Sequence, residues 1–205
     1  MRKKTFVISI PMLPADNLKV LNYKNGNDES VCCRTRFPGI ALLRDNMFGE
    51  VEISIITVRT ADAAGRTEYC YELFKKELQE LSIETGIELR ISREIVIPHN
   101  ETEAKEKLLL RELFECFPRH ANVYMDVTYG SKLTAMEMFS SLCYAEVAEG
   151  CSIKSVVYGK YAHDGSDSGE LFDVTGLYHT MRFMETASHM GKDAFKDLVR
   201  QIVED

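Results

Sequence analysis

No stretch of this 205-residue chain approaches the ~18 apolar residues that a membrane-spanning helix needs. The basic start, Met1 to Lys4, is followed only by Thr5–Ile10 before Pro11. That run is too short for a signal-peptide core and reads as a first strand. An excess of positive charge is missing too. The chain has 25 Lys and Arg against 32 Asp and Glu, a net charge of −7. This excludes a general DNA or RNA coat, whose affinity comes from many phosphate contacts. It leaves room for a small anionic ligand, because backbone amides and helix ends bind phosphate without net positive charge.

Several site signatures are also absent. The six cysteines include no C-x-x-C pair, and no histidine lies near them at zinc-finger spacing. Cys70, Cys116 and Cys143 fall on apolar faces of predicted helices, so the thiols are expected reduced and buried, in a cytoplasmic protein. His99, His120, His163, His179 and His189 show no H-E-x-x-H and no paired spacing, so they read as surface or capping residues and no metal site is expected. There is no G-x-S-x-G elbow. G-x-G-x-x-G is missing as well, which argues against a nicotinamide cofactor, and no other cofactor is expected.

What is present is an ordinary globular composition, 45% apolar and 28% charged. Strand-like runs at Thr5–Ile10, Glu52–Val58, Glu88–Ile97, Asn122–Val127 and Ile153–Tyr158 alternate with helical patterns. The helices are expected at Thr67–Glu84, at Glu101–Phe114 behind an Asn100/Glu103 capping box, and at Ser131–Val147. The last is apolar nearly all round and is expected to sit centrally. Glu170–Val174 is expected as an edge strand, followed by helices to Asp205 with a break at Gly191. This alternation predicts an α/β fold: a Rossmann-like open, mainly parallel sheet, with helices on both faces and a C-terminal helical extension. Residues 1–178 are expected to form the ligand-binding domain, and 179–205 a helical extension or connector to an effector. Two stretches break the pattern. Pro11 to Asn46 reads as a long irregular excursion, locally basic and containing Asn25-Gly26-Asn27-Asp28. His163–Gly169 reads as a mobile surface loop.

In an open parallel sheet, ligands bind outside the carboxyl ends of the strands, where strand order reverses. The sharper candidate is Asp126-Val127-Thr128-Tyr129-Gly130-Ser131-Lys132, which runs from a strand end through a glycine turn into a helix. Gly130 permits a tight turn and close approach to a ligand. The amides of Ser131, Lys132 and Leu133 would be unpaired at the helix start, where the dipole favours an anion. Thr128 and Ser131 add hydroxyls, and Lys132 adds a charge able to pair with a phosphate or oxyanion. The plainer alternative is that Ser131 caps the helix and Lys132 is solvated. Asp126 either serves the ligand or orders the turn by accepting backbone hydrogen bonds. The segment is not a Walker A loop, because the first glycine is missing.

Asp126 to Lys132 resembles a strand-four signature of CARF domains, the CRISPR-associated Rossmann-fold sensors. Val156-Val157-Tyr158-Gly159-Lys160-Tyr161, followed by Leu171-Phe172-Asp173-Val174-Thr175, resembles a later block of the same family. Tyr129 stands where one branch often has His, and Ser131-Lys132 where it often has Phe-Arg. The form is nearer to the Thr-Gly-Gly-Thr-Lys of other members.

The resemblance implies a homodimer that binds cyclic oligoadenylate across its two-fold axis in type III CRISPR antiviral signalling. Cyclic tetra-adenylate is favoured over hexa-adenylate. Each subunit would contribute the loops after strands one and four, and a fused or associated effector would be controlled. A ring with two-fold symmetry is matched by an isologous interface. Pro11, Met12, Leu13, Asp16 and Asn17, after the first strand, are candidates for ligand contact, although the apolar ones could simply pack the loop. Tyr129 would stack on a base or pack at the dimer seam. Two alternatives stand beside the sensor. One is a metal-independent ring nuclease using Lys132, Ser131 and Thr128. The other is a metabolic nucleotide-binding enzyme of doubly wound fold. An Arg-x4-His pair of the kind that HEPN ribonucleases use is absent.

Overall fold

The computed structural model describes residues 3–25, 28–49, 52–100, 102–161, 167–189, 191, 193–196 and 199. Its strands are β1 (Lys3–Ser9), β2 (Leu21–Asn25), β3 (Asp28–Thr35), β4 (Glu52–Thr60), β5 (Ile91–Ile97), β6 (Asn122–Asp126), β7 (Ser152–Tyr161) and β8 (Ser168–Asp173). Its helices are α1 (Pro38–Asn46), α2 (Arg66–Thr85), α3 (Glu103–Cys116), α4 (Lys132–Val147) and α5 (Thr175–Ala187), and a 3-10 turn covers Ala15–Asn17.

The strands form one open sheet in the order β3-β2-β8-β7-β6-β1-β4-β5. β5, β4, β1, β6 and β7 run parallel to one another. β8 pairs antiparallel with β7 and parallel with β2, and β3 closes the edge antiparallel to β2. The Rossmann-like α/β architecture read from the sequence is therefore present. β1 is central, with alternate residues on opposite faces. Phe6 and Ile8 join the core packed with α1 and α2, while Val7 joins the core packed with α3, α4 and Tyr178 of α5. Sequence order reverses between β1 and β6, so the crevice of a doubly wound sheet lies there.

The stretch expected as an irregular excursion is ordered. It folds as β2, β3 and α1, and it widens the sheet on the side of β7. Pro38 and Gly39 are the first two residues of α1, where proline lacks no needed donor. β8 is internal, between β7 and β2, and so is not the expected edge strand. The cap of α3 is Thr102, whose Oγ1 accepts from Lys105 N at 3.2 Å; the expected Asn100 cap lies outside the helix. α4 is not buried all round, since Met136 and Val147 are exposed while Met138, Leu142 and Ala145 are buried. α5 spans the division expected at residue 178, and the Tyr178 hydroxyl donates to Glu146 Oε2 at 2.8 Å on α4. Residues 193–196 are helical, with Phe195 N donating to Gly191 O at 3.0 Å, and 200–205 lie outside the described residues. Most of the His163–Gly169 segment, residues 163–166, also lies outside them.

Cys33, Cys70 and Cys151 are buried and in no disulfide. Burial raises the pKa of Cys70, Cys116 and Cys151, which keeps these groups protonated. Among the described residues, no helix is long and apolar enough to cross a membrane, and no His/Cys/Asp/Glu group could hold a metal ion.

Candidate functional site

The β6–α4 turn is built on Asp126, which is fully buried at the strand end. Its Oδ1 accepts from Thr128 N at 2.9 Å and from the Thr128 hydroxyl. The Thr128 Oγ1 accepts in turn from Gly159 N, at 2.8 Å on β7. Asp126 Oδ2 makes no hydrogen bond of normal geometry, although the Gly39 amide, in the first turn of α1, pulls its pKa down. Burial outweighs these donors and pushes the carboxyl from 3.8 up to about 6. Asp126 orders the turn and lines neither of the clefts described below.

Two glycines let this hub close. A Cβ on Gly39 would stand 2.3 Å from Ile8 Cγ2, and one on Gly159 would stand 2.3 Å from Pro38 Cγ. Gly130 has φ +104°, a conformation that L side chains rarely adopt. Ser131 is the N-cap of α4, its Oγ accepting from Thr134 N at 3.1 Å. The amides of Lys132 and Leu133, the next two in the first turn, have no partner among the described residues. The turn is pinned to β1 through Tyr129 N, which donates to Ser9 Oγ at 2.9 Å. The loop after β1 is held from α2, where Cys70 Sγ donates to Leu13 O at 3.4 Å.

Two clefts open beside this turn, on the carboxyl-end side of β1 and β6. The first, of about 300 Å³, is lined by Ile10, Met12 and Leu13 after β1, Thr60 at the end of β4, His99 after β5, Lys105 of α3, and Thr128 to Ser131. The second, of about 460 Å³, is lined by Leu13, Asn17, Leu18, Lys19 and Leu21, by Tyr23 and Arg36 of the hairpin, and by Tyr158, Gly159 and Tyr161 of β7. Leu13, Thr128 and Tyr129 belong to both. The Tyr129 hydroxyl donates to Arg36 O at 3.3 Å, and burial raises the pKa of Tyr129 and Tyr23, so both stay neutral donors. Arg36 Nη1 pairs with Glu77 Oε1 at 2.7 Å. Among the described residues, the charged or basic side chains on these walls are Lys19, Arg36, His99 and Lys105, and none is a carboxylate, in a chain of net charge −7. The combination suits an anionic ligand with flat aromatic parts.

The structure thus brings together Met12, Leu13, Asn17, Thr128, Tyr129, Gly130 and Ser131 from the predicted set. Pro11 is buried, Asp16 is exposed on the 3-10 turn, and neither lines a cleft. Lys132 is exposed and also lines neither. Sequence reasoning missed Thr60, His99, Lys105, Tyr23, Tyr158 and Tyr161. Thr60, His99 and Tyr161 stand at or just beyond strand ends, a position that becomes informative once strand order is known, whereas Tyr23 and Tyr158 lie within strands and Lys105 in the first turn of α3, where no local pattern marks them. Lys19 and Arg36 were visible as part of the local basic excess. No protein-family model matches the chain, and no curated protein matches it.

Proposed function

We propose that this protein is a homodimeric sensor that binds a cyclic oligoadenylate, cyclic tetra-adenylate first among them, and passes the binding event to a fused or associated effector in type III CRISPR signalling. The observation that carries the reading is the pair of adjoining clefts at the sheet's switch point, whose described walls hold cations and tyrosines and no carboxylate. A nucleotide ring needs both kinds of wall: cations and amides for its phosphates, and flat side chains for its bases. Two subunits related by a two-fold axis would present the set twice to a ring of matching symmetry.

Binding is preferred to cleavage as the reading. Lys132, the cation on which cleavage would draw, lines neither cleft, and the Ser131 hydroxyl is engaged in capping. The test is a thermal-shift panel with cyclic tetra-adenylate, cyclic hexa-adenylate, ATP, NAD and cyclic dinucleotides. Stabilisation by a cyclic oligoadenylate at micromolar concentration is expected. Stabilisation by NAD or ATP alone would overturn the reading in favour of a metabolic nucleotide enzyme. Mass spectrometry of the incubated ring is expected to find it intact. Linear products with cyclic phosphate ends would convert the sensor into a ring nuclease.

A further inference from the structure

Helices cover one side of the sheet only in part. The core built from α3, α4 and Tyr178 of α5 reaches Val156 of β7 and includes no residue of β8, β2 or β3. On that same side, beyond Val156, strand alternation sets out Tyr158 and Lys160 of β7, Phe172 and Glu170 of β8, Lys24 of β2 and Arg34 of β3. Their neighbours Val157, Leu171, Tyr23 and Cys33 belong to the opposite core, packed with α1 and α2. Tyr158 lies directly across from Phe172, and Lys160 from Glu170, which in turn stands beside Lys24. The two rings are 46% and 42% exposed, and Lys160, Lys24 and Arg34 are exposed as well. Lys160 Nζ stands 3.4 Å from the centre of the Phe172 ring, a cation over a flat face. These six residues hold two rings, three cations and one carboxylate, in a chain of net charge −7.

We infer that this uncovered face binds a short single-stranded nucleic acid, with bases stacked on Phe172 and Tyr158 and the backbone held by Lys160, Lys24 and Arg34. An apolar partner would strip the three cations of water with nothing in return, and a duplex hides the faces of its bases. A single strand matches rings set among cations, because every base has a π-face and every linkage a phosphate. A base arriving at Phe172 displaces the Lys160 ammonium, which then meets the adjacent phosphate. A few phosphate contacts on one patch are compatible with a net negative charge that bars a coat along a long polymer. The inference stands apart from the cyclic-oligoadenylate reading, since Tyr158 alone of these six residues also lines a cleft.

Fluorescence anisotropy with a labelled ten-nucleotide single strand, as RNA and as DNA, tests this at ~50 mM salt. A single strand is expected to bind at micromolar concentration, and a duplex of the same length at least tenfold more weakly. Whichever of RNA and DNA binds tighter names the sugar that the face prefers. Phe172→Ala is expected to lose at least fivefold, and Phe172→Tyr to stay within twofold of wild type. Lys24→Ala and Arg34→Ala should each flatten the slope of log affinity against log salt by about 0.7. Lys76→Ala, an exposed lysine on α2 across the sheet, is the control and should match wild type. Circular dichroism confirms that each variant folds. Failure of wild type to bind either strand overturns the inference. So does binding that Phe172→Ala and the Lys24→Ala/Arg34→Ala double variant both leave unchanged; if Phe172→Ala fails to fold, the double variant decides alone. Equal affinity for the duplex, or for inorganic polyphosphate, would mean adhesion of any polyanion and overturns it too. The thermal response of Phe172→Ala to cyclic tetra-adenylate should equal that of wild type, whether or not wild type responds. A loss there would merge this face with the clefts and end it as a separate site.

Discussion

Tyr129 and Ser9 are joined across 120 residues of sequence by a backbone-to-hydroxyl hydrogen bond of 2.9 Å. The bond links the ends of the two strands between which strand order reverses, β6 and β1. Whatever binds in the crevice meets a turn whose position is fixed by the central strand of the sheet. Such preorganisation reduces the entropy that binding must otherwise offset.

The Asp126 carboxyl sets a pH dependence of stability. Its pKa is raised by burial from 3.8 to about 6, so the fold prefers the neutral form. This contribution is fully present below about pH 4 and is lost as pH rises through about 6. The shift corresponds to ~3 kcal/mol. Urea denaturation of wild type and Asp126→Asn should therefore show wild type losing about 3 kcal/mol relative to the variant between pH 4 and pH 7.5. A difference that does not change with pH would mean that Asp126 titrates normally.

Thr128 holds the hub by donating to Asp126 and accepting from Gly159 N. Thr128→Val keeps the shape and removes both bonds, leaving the Gly159 amide unsatisfied and Asp126 Oδ1 with only the Thr128 amide as donor. A loss of ~1–3 kcal/mol is expected, with Thr128→Ser recovering most of it. Chemical denaturation of the three proteins checks the order.

Two glycine substitutions should have opposite signs. In Gly39→Ala the new methyl would meet Ile8, which is fully buried and cannot yield, so a loss of ~1–3 kcal/mol is expected. Gly176 is exposed in the first turn of α5 with open space around it. Gly176→Ala should gain ~0.5–1 kcal/mol from reduced backbone freedom in the unfolded chain. A Gly39→Ala melting temperature no lower than wild type would contradict the packing described for Gly39, and a lower one in Gly176→Ala would contradict the open space around Gly176.

Tyr161 is 61% exposed on the wall of the second cleft. As a stacking platform it should lose ~1–3 kcal/mol of nucleotide affinity in Tyr161→Ala and keep it in Tyr161→Phe. Titration calorimetry with cyclic tetra-adenylate separates the two. Equal loss in both variants would point to the hydroxyl instead of the ring.

The parallel core was legible because its strands are buried on both faces and therefore read as continuous apolar runs, such as Phe6–Ile8 and Ile55–Val58. β2 and β3 were not, because Leu21–Asn25 and Asp28–Thr35 lie at the sheet's margin and carry polar residues in place of such a run. The sequence Asn25-Gly26 is a hairpin signal whose weight the sequence context hid. The site divides in the same way. Tyr129, Gly130 and Ser131 carry a local strand–turn–helix pattern, so they could be found. Lys105 and His99 reach the cleft only because β5 and β4 lie beside β1, a relation between distant segments that no local pattern encodes. Lys132, singled out for its charge, lies outside because the first turn of a helix spreads its side chains around the axis and this one faces solvent.

Leu13 and Tyr129 are a single partition with a chamber on each side. A side chain that walls two compartments cannot shift for one occupant without reshaping the other. What fills one chamber therefore bears on the shape of its neighbour, and the two are not independent compartments.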